Sequence, residues 1–510
     1  MKINKDYIAI GMILLVFVLF LNTTLKSPIV FGDEGYYSYQ AKWIADNGIL
    51  PIYETFKETD VFHPTMNRPP LFIITESFFF MFGETAVKFM IPIFSILTAF
   101  MLYIFLKKTV NEKAGLVASL IFLAAPSLVT YAVLTYVDTM FCLLVLCSLY
   151  FGYLALEHDK KKDTILSGIF FGLATLTKIT APIIFLALGL YFLYSKYYKN
   201  VNKWKILILI GVIAVLVVSP WLVRNMILYK DVCYGLSGCP AVEDVPIEYS
   251  KDLLNQYART SGSGTESSLI KLGALAYTQF AYGWIMIFLA LFGIVYAIKD
   301  KKKPEMLMIM LMIAVIPIFV FYSTRVEDAA RYTLPVIIGM AALGGIFLSK
   351  AYDQIRTKSF MIAIIVILLI LPGVWYFGQD KLNTMQNVKA FSTGFFDGCN
   401  WVEANTPSDS LLLSIYAQQT AYNCNRRVST AIPDFAEITM NNNETSYQHL
   451  KLHGYDYVFV QVSLISQTPY LESIPIAFYQ YMESSSHFVK VYDNTATFGN
   501  DGVLIYEVKY

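Results

Sequence analysis

The sequence predicts a polytopic α-helical membrane protein that carries a small C-terminal α/β domain outside the cytoplasm. Of its 510 residues, 56% are hydrophobic and only 15% are charged, and the mean hydropathy is +0.52. Soluble domains average about 45–50% apolar and about 25% charged residues. Apolar runs recur along the chain up to residue 377, with lysines gathered in alternate turns between them. The 39 basic and 38 acidic residues nearly balance, so the charge indicates no nucleic-acid partner.

The first apolar run, Tyr7–Leu21, follows a short start that carries lysines. The residues after it form a poor cleavage site for a signal peptide, so we expect a retained anchor with its N-terminus in the cytoplasm. The long, mostly polar segment 22–86 comes next. Within it, Glu34–Asn47 is predicted to be an amphipathic helix that lies along the membrane. The run Leu71–Phe82 is too short to span a bilayer and is predicted to be interfacial or re-entrant.

Ten further apolar segments are assigned as spans, which gives about eleven transmembrane helices with the first. Their approximate bounds are Ala86–Leu106, Ala114–Ala132, Tyr136–Leu156, Thr164–Thr177, Ile179–Tyr194, Lys205–Ser219, Tyr277–Ile298, Met306–Tyr322, Leu334–Leu348 and Phe360–Phe377. The two short segments on either side of Lys178 are expected to form a broken pair of helices.

The positive-inside rule tests this arrangement, because cytoplasmic loops carry an excess of Lys and Arg. With these spans, the short turns that are rich in Lys or Arg all fall on one side. They hold Lys107, Lys108 and Lys113; Lys160, Lys161 and Lys162; Lys196, Lys199, Lys203 and Lys205; Lys299, Lys301, Lys302 and Lys303; and Lys350, Arg356 and Lys358. The loops 22–86 and 220–276 and everything after residue 378 are therefore expected to face outward.

We expect two domains, a transmembrane domain over residues 1–377 and an extracytoplasmic α/β domain over residues 378–510. The pattern of apolar residues in the second domain predicts four strands and a helix. The strands are Ser410–Tyr416, Tyr457–Val462, Phe488–Tyr492 and Val503–Val508, and the helix is Ser446–His453.

Four cysteines lie in the segments that are expected to face outward. Cys233 and Cys239 share the second outer loop, and Cys399 and Cys424 share the tail. In an oxidising compartment both pairs could be disulfides. The alternative is that they are buried free thiols.

Charged residues cluster at the outer ends of the predicted helices. They are Asp33, Glu34, Arg68, Asp138, Lys178, Arg224 and Arg331, the last of which is followed by Tyr332. Each of them alone is typical of an interfacial residue that reaches toward water, and the pair Asp33-Glu34 is equally typical of a loop that caps a helix. Carboxylates and four cations together on one membrane face instead indicate a functional site.

This set of residues suits the transfer of a sugar from a lipid-linked phosphate. A carboxylate can act as general base toward a hydroxyl group. Arg and Lys bind phosphate, and positive charge stabilises an anionic leaving group. The phosphate of such a donor lies at the headgroup level, where these residues are expected. A donor of this kind is already activated, so no nucleotide-binding fold is required.

Six short motifs follow one another along the chain. They are Asp33-Glu34, Asn67-Arg68-Pro69-Pro70-Leu71, Tyr136-Val137-Asp138, Gly172-Leu173-Ala174-Thr175-Leu176-Thr177-Lys178, Pro220-Trp221-Leu222-Val223-Arg224-Asn225 and Arg331-Tyr332-Thr333-Leu334-Pro335. In this order they resemble the C-type polyprenyl-phosphate-sugar glycosyltransferases, which include the protein O-mannosyltransferases and the lipid A aminoarabinose transferase. The resemblance covers roughly residues 5–350. The tail resembles the soluble domains of archaeal relatives through residues 401–407 and 422–428.

The resemblance implies roles for individual residues. Asp33 matches the catalytic carboxylate of the family, Glu34 is its acidic neighbour, and Asp138 matches the aspartate of the second outer loop. Arg68 stands where bacterial members often have Lys and is expected to contact the donor phosphate. The other residues expected to contact the phosphate are Lys178, Arg224, Arg331 and Tyr332. If the enzyme uses a divalent metal, the candidate ligands are Asp33, Glu34 and His63.

The implied activity is an inverting transfer from a dolichyl or undecaprenyl phosphate carrier to a hydroxyl of a glycan, lipid or protein acceptor. Oligosaccharyltransferase catalytic subunits carry a Trp-Trp-Asp signature in the tail, and its absence from this sequence argues against transfer of a whole glycan to asparagine.

Two other classes of protein are compatible with the composition. One is a lipid or sugar transporter or flippase without transferase activity. Transporters usually place their charged site near the bilayer midplane between repeated halves, whereas these charges lie at one end of the spans and no repeat is visible. The other is a non-catalytic scaffold, which leaves the clustered charges unexplained.

Overall fold

The structure is a computed structural model that describes residues 5–29, 33–50, 68–229, 232, 283–322, 331–354, 391–428, 443–452, 454–466 and 474–510. Helices make up most of the part up to residue 354. They are α1 (Lys5–Lys26), α2 (Glu34–Asn47), α3 (Leu71–Phe80), α4 (Glu84–Thr109), α5 (Glu112–Ala124), α6 (Pro126–Tyr131), α7 (Asp138–His158), α8 (Lys161–Thr175), α9 (Pro182–Tyr194), α10 (Val201–Tyr229), α11 (Trp284–Asp300), α12 (Lys303–Tyr322) and α13 (Val336–Gln354).

Four of the described helices, α4, α7, α10 and α13, are long and apolar enough to cross a membrane. Helix α7 is largely enclosed by its neighbours, whereas α10 leaves most of its apolar surface uncovered. An uncovered apolar face of this length suits lipid, because lipid tails need no polar partner. The chain is therefore a mostly helical membrane protein, as the composition predicts.

The predicted helix bounds are wrong at two prolines. The segment Ala114–Ala132 is not one helix, because Ala125 takes an extended conformation with ψ 129° and Pro126 begins α6. A residue before proline is pushed out of the helical region in this way. By contrast, α10 does not stop at Ser219 but continues through Pro220 to Tyr229. The predicted outer loop 220–276 therefore begins about ten residues too early, and its remainder lies almost wholly outside the described residues.

The other described predictions for this part agree with the structure more closely, although α11 begins seven residues after the predicted Tyr277 and α13 ends six residues beyond the predicted Leu348. The short segments on either side of Lys178 form two helices, α8 and α9, and the predicted helix Glu34–Asn47 is α2. Leu71–Phe82 forms the short helix α3. The predicted span Phe360–Phe377 and the domain boundary near residue 377 lie outside the described residues.

Ion pairs join the lysine-rich turns to one another. Lys113 contacts Asp353 at 2.5 Å, Lys203 contacts Asp159 at 2.9 Å, and Lys303 contacts Glu157 at 2.6 Å. Lys350 contacts Glu305 at 2.8 Å. Because each pair connects turns that are distant in sequence, these turns lie at the same end of the helical bundle.

The tail contains a sheet with helices on both faces. Its helices are α14 (Thr393–Asn405), α15 (Ala417–Cys424), α16 (Asn443–Leu452), α17 (Ile476–Ser484) and α18 (Thr495–Phe498). Its strands are β1 (Leu411–Leu413), β2 (Arg427–Val428), β3 (Tyr457–Gln461), β4 (Ile465–Ser466), β5 (Ile474–Pro475), β6 (Phe488–Asp493) and β7 (Val503–Val508).

The main sheet has the order β2-β1-β3-β7-β6. Strands β2, β1 and β3 run parallel, and β7 pairs antiparallel with both β3 and β6. Side chains of a strand alternate between the two faces of a sheet. In β7, Val503 and Ile505 accordingly pack with α14 and α15, whereas Leu504 and Tyr506 pack with α16 and α17. Strands β4 and β5 form a separate parallel pair.

The tail packs directly on α2 through α15. A Cβ atom on Gly35 would lie 2.8 Å from the carbonyl carbon of Gln418, so only glycine allows the two helices to approach this closely. The amide Nδ2 of Asn423 donates to the carbonyl oxygen of Ile29 at 3.1 Å. A disulfide joins Cys424, the last residue of α15, to Cys399 in α14. The tail thus contacts the chain on both sides of the Asp33-Glu34 pair.

Candidate active site

Asp33 stands immediately before the first residue of α2 and has no side-chain hydrogen bond to the helix that it precedes. Its carboxylate is turned toward arginine instead. Nη2 of Arg68 donates to Oδ1 at 2.8 Å, and Nη1 of Arg68 lies 2.7 Å from Oδ2. This is the two-point fork in which guanidinium and carboxylate pair most strongly. Arg68 precedes Pro69-Pro70 and α3, so the start of α3 brings it to the start of α2.

Arg331 links Asp33 to Asp138. Its Nη1 donates to Oδ2 of Asp33 at 2.5 Å, and its Nε donates to Oδ2 of Asp138 at 2.8 Å. The three residues are far apart in sequence. Asp33 precedes α2, Asp138 begins α7, and Arg331 lies five residues before α13. A single guanidinium therefore holds both aspartates.

Lys178 completes the group from the turn between α8 and α9. Its ammonium donates to Oδ1 of Asp138 and lies 4.0 Å from the ring centre of Tyr332. Asp138 begins α7 and Lys178 follows the end of α8, so the antiparallel packing of these two helices places both residues at one end of the bundle. The turn between α7 and α8 lies at the opposite end, where Lys203 and Asp159 pair.

Tyrosines line the group of charges. The hydroxyl of Tyr37 accepts from Arg68 at 3.0 Å and from Arg331 at 3.4 Å. The guanidinium of Arg331 lies 4.2 Å from the ring centre of Tyr136, a cation–π contact. The six sequence motifs do not include Tyr37. The sequence signal for its role is its position four residues after Asp33, because residues four apart lie on the same face of a helix.

Depth differs across the group. The side chain of Arg68 is 33% exposed and that of Asp33 is 22% exposed. The side chain of Arg331 is 10% exposed and that of Asp138 is 1% exposed. A ligand that arrives from outside the bundle therefore meets Arg68 and Asp33 first, because Asp138 and Arg331 are less exposed.

The arginines keep Asp33 ionised. Burial raises the pKa of a carboxyl, but the charges and hydrogen bonds of Arg68 and Arg331 outweigh it and hold the pKa of Asp33 well below its ordinary value. With Asp33 and Asp138 ionised, the group carries two negative and three positive charges. The surplus of one positive charge suits an anionic ligand.

The carboxylate of Glu34 contacts different groups from that of Asp33. It is only 2% exposed, and its Oε1 accepts from the backbone nitrogen of Thr135 at 2.5 Å. Arg224 lies within α10, with its guanidinium 4.7 Å from the ring centre of Trp221. Of the predicted site residues, Asp33, Arg68, Asp138, Lys178, Arg331 and Tyr332 are thus joined by direct contacts.

The residues that could hold a divalent metal do not converge in the described structure. Both oxygens of Asp33 face arginine, and Glu34 is turned to Thr135. Within the described ranges no group of three or more His, Cys, Asp or Glu residues could hold a metal. His63, Cys233 and Cys239 lie outside those ranges.

Residues 67–223 match the model of the dolichyl-phosphate-mannose-protein mannosyltransferase family. This stretch includes Arg68, Asp138 and Lys178. A comparison with curated proteins gave no match.

The structure is similar to solved membrane glycosyltransferases. The Cupriavidus metallidurans ArnT bound to undecaprenyl phosphate has a TM-score of 0.67 and 14% identity, with 99% of this chain and 98% of that chain covered. The Archaeoglobus fulgidus oligosaccharyltransferase has a TM-score of 0.63 and 14% identity, with 89% of this chain and 70% of that chain covered. The same oligosaccharyltransferase, AglB, with an inhibitory peptide and a dolichol-phosphate has a TM-score of 0.64 and 13% identity, with 90% and 70% covered.

Proposed function

We propose that this chain, which has the fold of the C-type glycosyltransferases, transfers a sugar from a polyprenyl phosphate carrier to an acceptor hydroxyl on the outer face of the membrane. One observation carries the proposal. Asp33 and Asp138, from the starts of two helices, are held by Arg68, Arg331 and Lys178 in a single charged group at the end of the bundle away from the lysine-rich turns.

The lipid carrier is inferred from the charge and from the relatives. A sugar-phosphate diester carries one negative charge, which matches the surplus positive charge of the group. Two of the similar solved structures contain dolichol-phosphate or undecaprenyl phosphate. A dolichyl or undecaprenyl phosphate sugar is thus the proposed donor, with a glycan, lipid or protein hydroxyl as the acceptor.

The roles of the residues follow from their positions. Asp33, at the exposed edge, takes the proton of the acceptor hydroxyl as general base. The acceptor oxygen attacks the anomeric carbon from the face opposite the phosphate, which inverts the configuration. Arg68 and Arg331 hold the leaving phosphate, where negative charge develops. Asp138 is a positioning residue that fixes Arg331 and Lys178. Lys178, Tyr332 and Arg224 complete the surroundings of the donor, and Glu34 fixes the start of α2 through Thr135.

The proposed topology has about eleven transmembrane helices with the N-terminus in the cytoplasm. The lysine-rich turns, which the ion pairs gather at one end, face the cytoplasm. The charged group and the α/β domain 378–510 then face outward, where a lipid-linked donor and an aqueous acceptor can meet. A transporter site would instead be expected near the bilayer midplane, so the position of this group at helix ends favours the transferase.

The direct test is to incubate membranes that contain the protein with polyprenyl phosphate sugars labelled in the sugar. We expect one labelled sugar to leave its carrier and to appear on an acceptor, and membranes without the protein to show no transfer. If no labelled sugar leaves its carrier while the label crosses the membrane unchanged, the transporter is the correct class.

A further inference from the structure

The carboxylate of Asp33 is already paired with two arginines in the structure. Its two carboxylate oxygens receive the fork of Arg68, and Oδ2 also accepts from Arg331 at 2.5 Å. Hydrogen bonds to the charged form of a carboxylate stabilise that form and make it a weaker proton acceptor. The residue proposed as general base is thus held in a state poorly suited to take a proton.

The arginines that hold Asp33 are also the residues suited to hold phosphate. A guanidinium offers its N–H groups in a planar fork that fits a carboxylate or a phosphate equally well. The N–H groups of Arg68 that point at Asp33 cannot serve a phosphate at the same time. Carboxylate and phosphate therefore compete for one set of donors.

The structure also indicates which contacts can be exchanged. Arg68 and Asp33 form the exposed edge of the group, with 33% and 22% of their side chains accessible. Arg331 remains anchored through its Nε to Asp138, which is 1% exposed. An arriving phosphate can therefore take the Nη groups from Asp33 while Arg331 keeps its place.

We propose that Asp33 stands in for the donor phosphate: in the donor-free protein it occupies the arginine donors that the phosphate later takes over, and this exchange frees the carboxylate to act as base. The inference rests on the function proposed above. It adds that binding of the donor itself switches the catalytic carboxylate from its paired state to its free state. Until a donor is bound, the base stays paired.

The reaction balances with the groups already named. The acceptor O–H gives its proton to the freed Asp33 carboxylate, and the acceptor oxygen forms a bond to the anomeric carbon. The bond from that carbon to the phosphate oxygen breaks, and its electron pair stays on the phosphate. The polyprenyl phosphate that remains carries one more negative charge, which Arg68 and Arg331 stabilise. When it leaves, Asp33 loses its proton to water and pairs with the arginines again.

The exchange predicts that removal of the carboxylate strengthens binding of the carrier. The probe is a short-chain polyprenyl phosphate, and the full-length protein is held in nanodiscs of zwitterionic lipid so that no other anionic lipid competes. Asp33→Asn should bind the probe roughly tenfold more tightly than wild type, because no ion pair with charge-assisted hydrogen bonds has to be broken first. Asp33→Ala should change the affinity in the same direction and serves as a second variant.

The matched control is Asp46→Asn, which removes the same charge from an exposed position in α2, the helix that Asp33 precedes. It should bind like wild type, which would show that the net charge of α2 is not the cause. In the background of Arg68→Ala, the gain from Asp33→Asn should shrink, because the competing fork is gone. Unchanged or weaker binding by both Asp33 variants would overturn the exchange.

The exchange and the proposed function fail in different assays. If Asp33→Asn loses transfer but binds the probe like wild type, the enzyme proposal stands and the exchange is wrong. If wild type transfers no sugar from any polyprenyl phosphate donor, the proposed function is wrong whatever the binding data are.

Discussion

At the scale of single residues, Arg68 makes the contacts at the exposed edge of the site that bear most directly on the binding of a phosphate. It pairs with both oxygens of Asp33, donates to the hydroxyl of Tyr37 and lies 4.7 Å from the ring centre of Tyr36. The aromatic rings and the carboxylate fix the plane of the guanidinium. This arrangement needs a planar group with two parallel N–H donors. The ammonium group of lysine is not planar and offers no such fork.

We predict that Arg68→Ala weakens binding of a polyprenyl phosphate by about 10- to 150-fold, the equivalent of about 1.5–3 kcal/mol for a hydrogen bond to a charged group. Arg68→Lys should keep part of the affinity, because the charge survives while the fork is lost. Titration of the labelled carrier against the purified variants measures this. Equal affinity in wild type, Arg68→Ala and Arg68→Lys would show that Arg68 does not bind the phosphate.

Part of the site could be predicted from residue types alone. Asp33, Arg68, Asp138, Lys178 and Arg331 were expected at helix ends on one face, because an ionised side chain at membrane depth is costly without a function. Their pairing could not be predicted. Which cation meets which carboxylate depends on the packing of α2, α7, α8 and α13, and sequence spacing does not specify that packing.

At the scale of elements, the sequence does not predict the contact between α15 and α2. Its signal is a glycine, Gly35, within a helix, because glycine is a poor helix former that costs about 1 kcal/mol relative to alanine in a helix interior. The tail sequence gives no sign that residues 417–424 meet residues almost 400 positions earlier. Similarly, the break at Pro126 and the continuation through Pro220 depend on surrounding contacts, because proline ends some helices and only bends others.

We predict that Gly35→Ala reduces sugar transfer. The new methyl group would lie 2.8–2.9 Å from backbone atoms of Gln418 and Gln419, which cannot rotate away as a side chain can. Separation of the helices should cost about 1–3 kcal/mol of folding free energy, the range for overpacked sites. It should also loosen the start of α2, which holds Asp33 and Glu34 in place. The measurement is the transfer rate together with limited proteolysis of the tail.

The control for this variant is Gly189→Ala in α9, where an added Cβ would meet nothing within 4 Å. It should leave both the rate and the proteolysis pattern unchanged. If Gly35→Ala transfers sugar at the wild-type rate with an intact tail, the docking of α15 does not matter for the active site.

At the scale of the whole molecule, the sidedness of the charges organises the protein. The lysine-rich turns meet at one end of the bundle through pairs such as Lys113–Asp353 and Lys303–Glu157. Asp33, Asp138 and the α/β tail lie toward the other end. Composition and the positive-inside rule predicted this separation, because both depend only on the solvent that each segment meets. The arrangement of the sheet on α2 depends on long-range contacts and could not be predicted in the same way.

We predict that the tail faces outward. Leu452→Cys, at a residue that is 80% exposed, should react with a membrane-impermeant maleimide in intact cells. Lys162→Cys, in the first turn of α8, should react only after the membrane is opened. Both variants are made with Cys233 and Cys239 replaced by serine. The reverse pattern of labelling would contradict the topology and place the charged group on the cytoplasmic face.

The central claim is that Asp33 is the general base, and the rate of sugar transfer by Asp33→Asn tests it most directly. The variant keeps the shape of the side chain and removes the base, which typically contributes about 10²–10⁴-fold to such a transfer. We predict a loss of at least about 10²-fold in the initial rate with a labelled donor, while the amount of folded protein stays normal and Asp46→Asn transfers like wild type. Transfer by Asp33→Asn at the wild-type rate would contradict the account, and if Glu34→Gln were inactive in the same assay, the base would be Glu34.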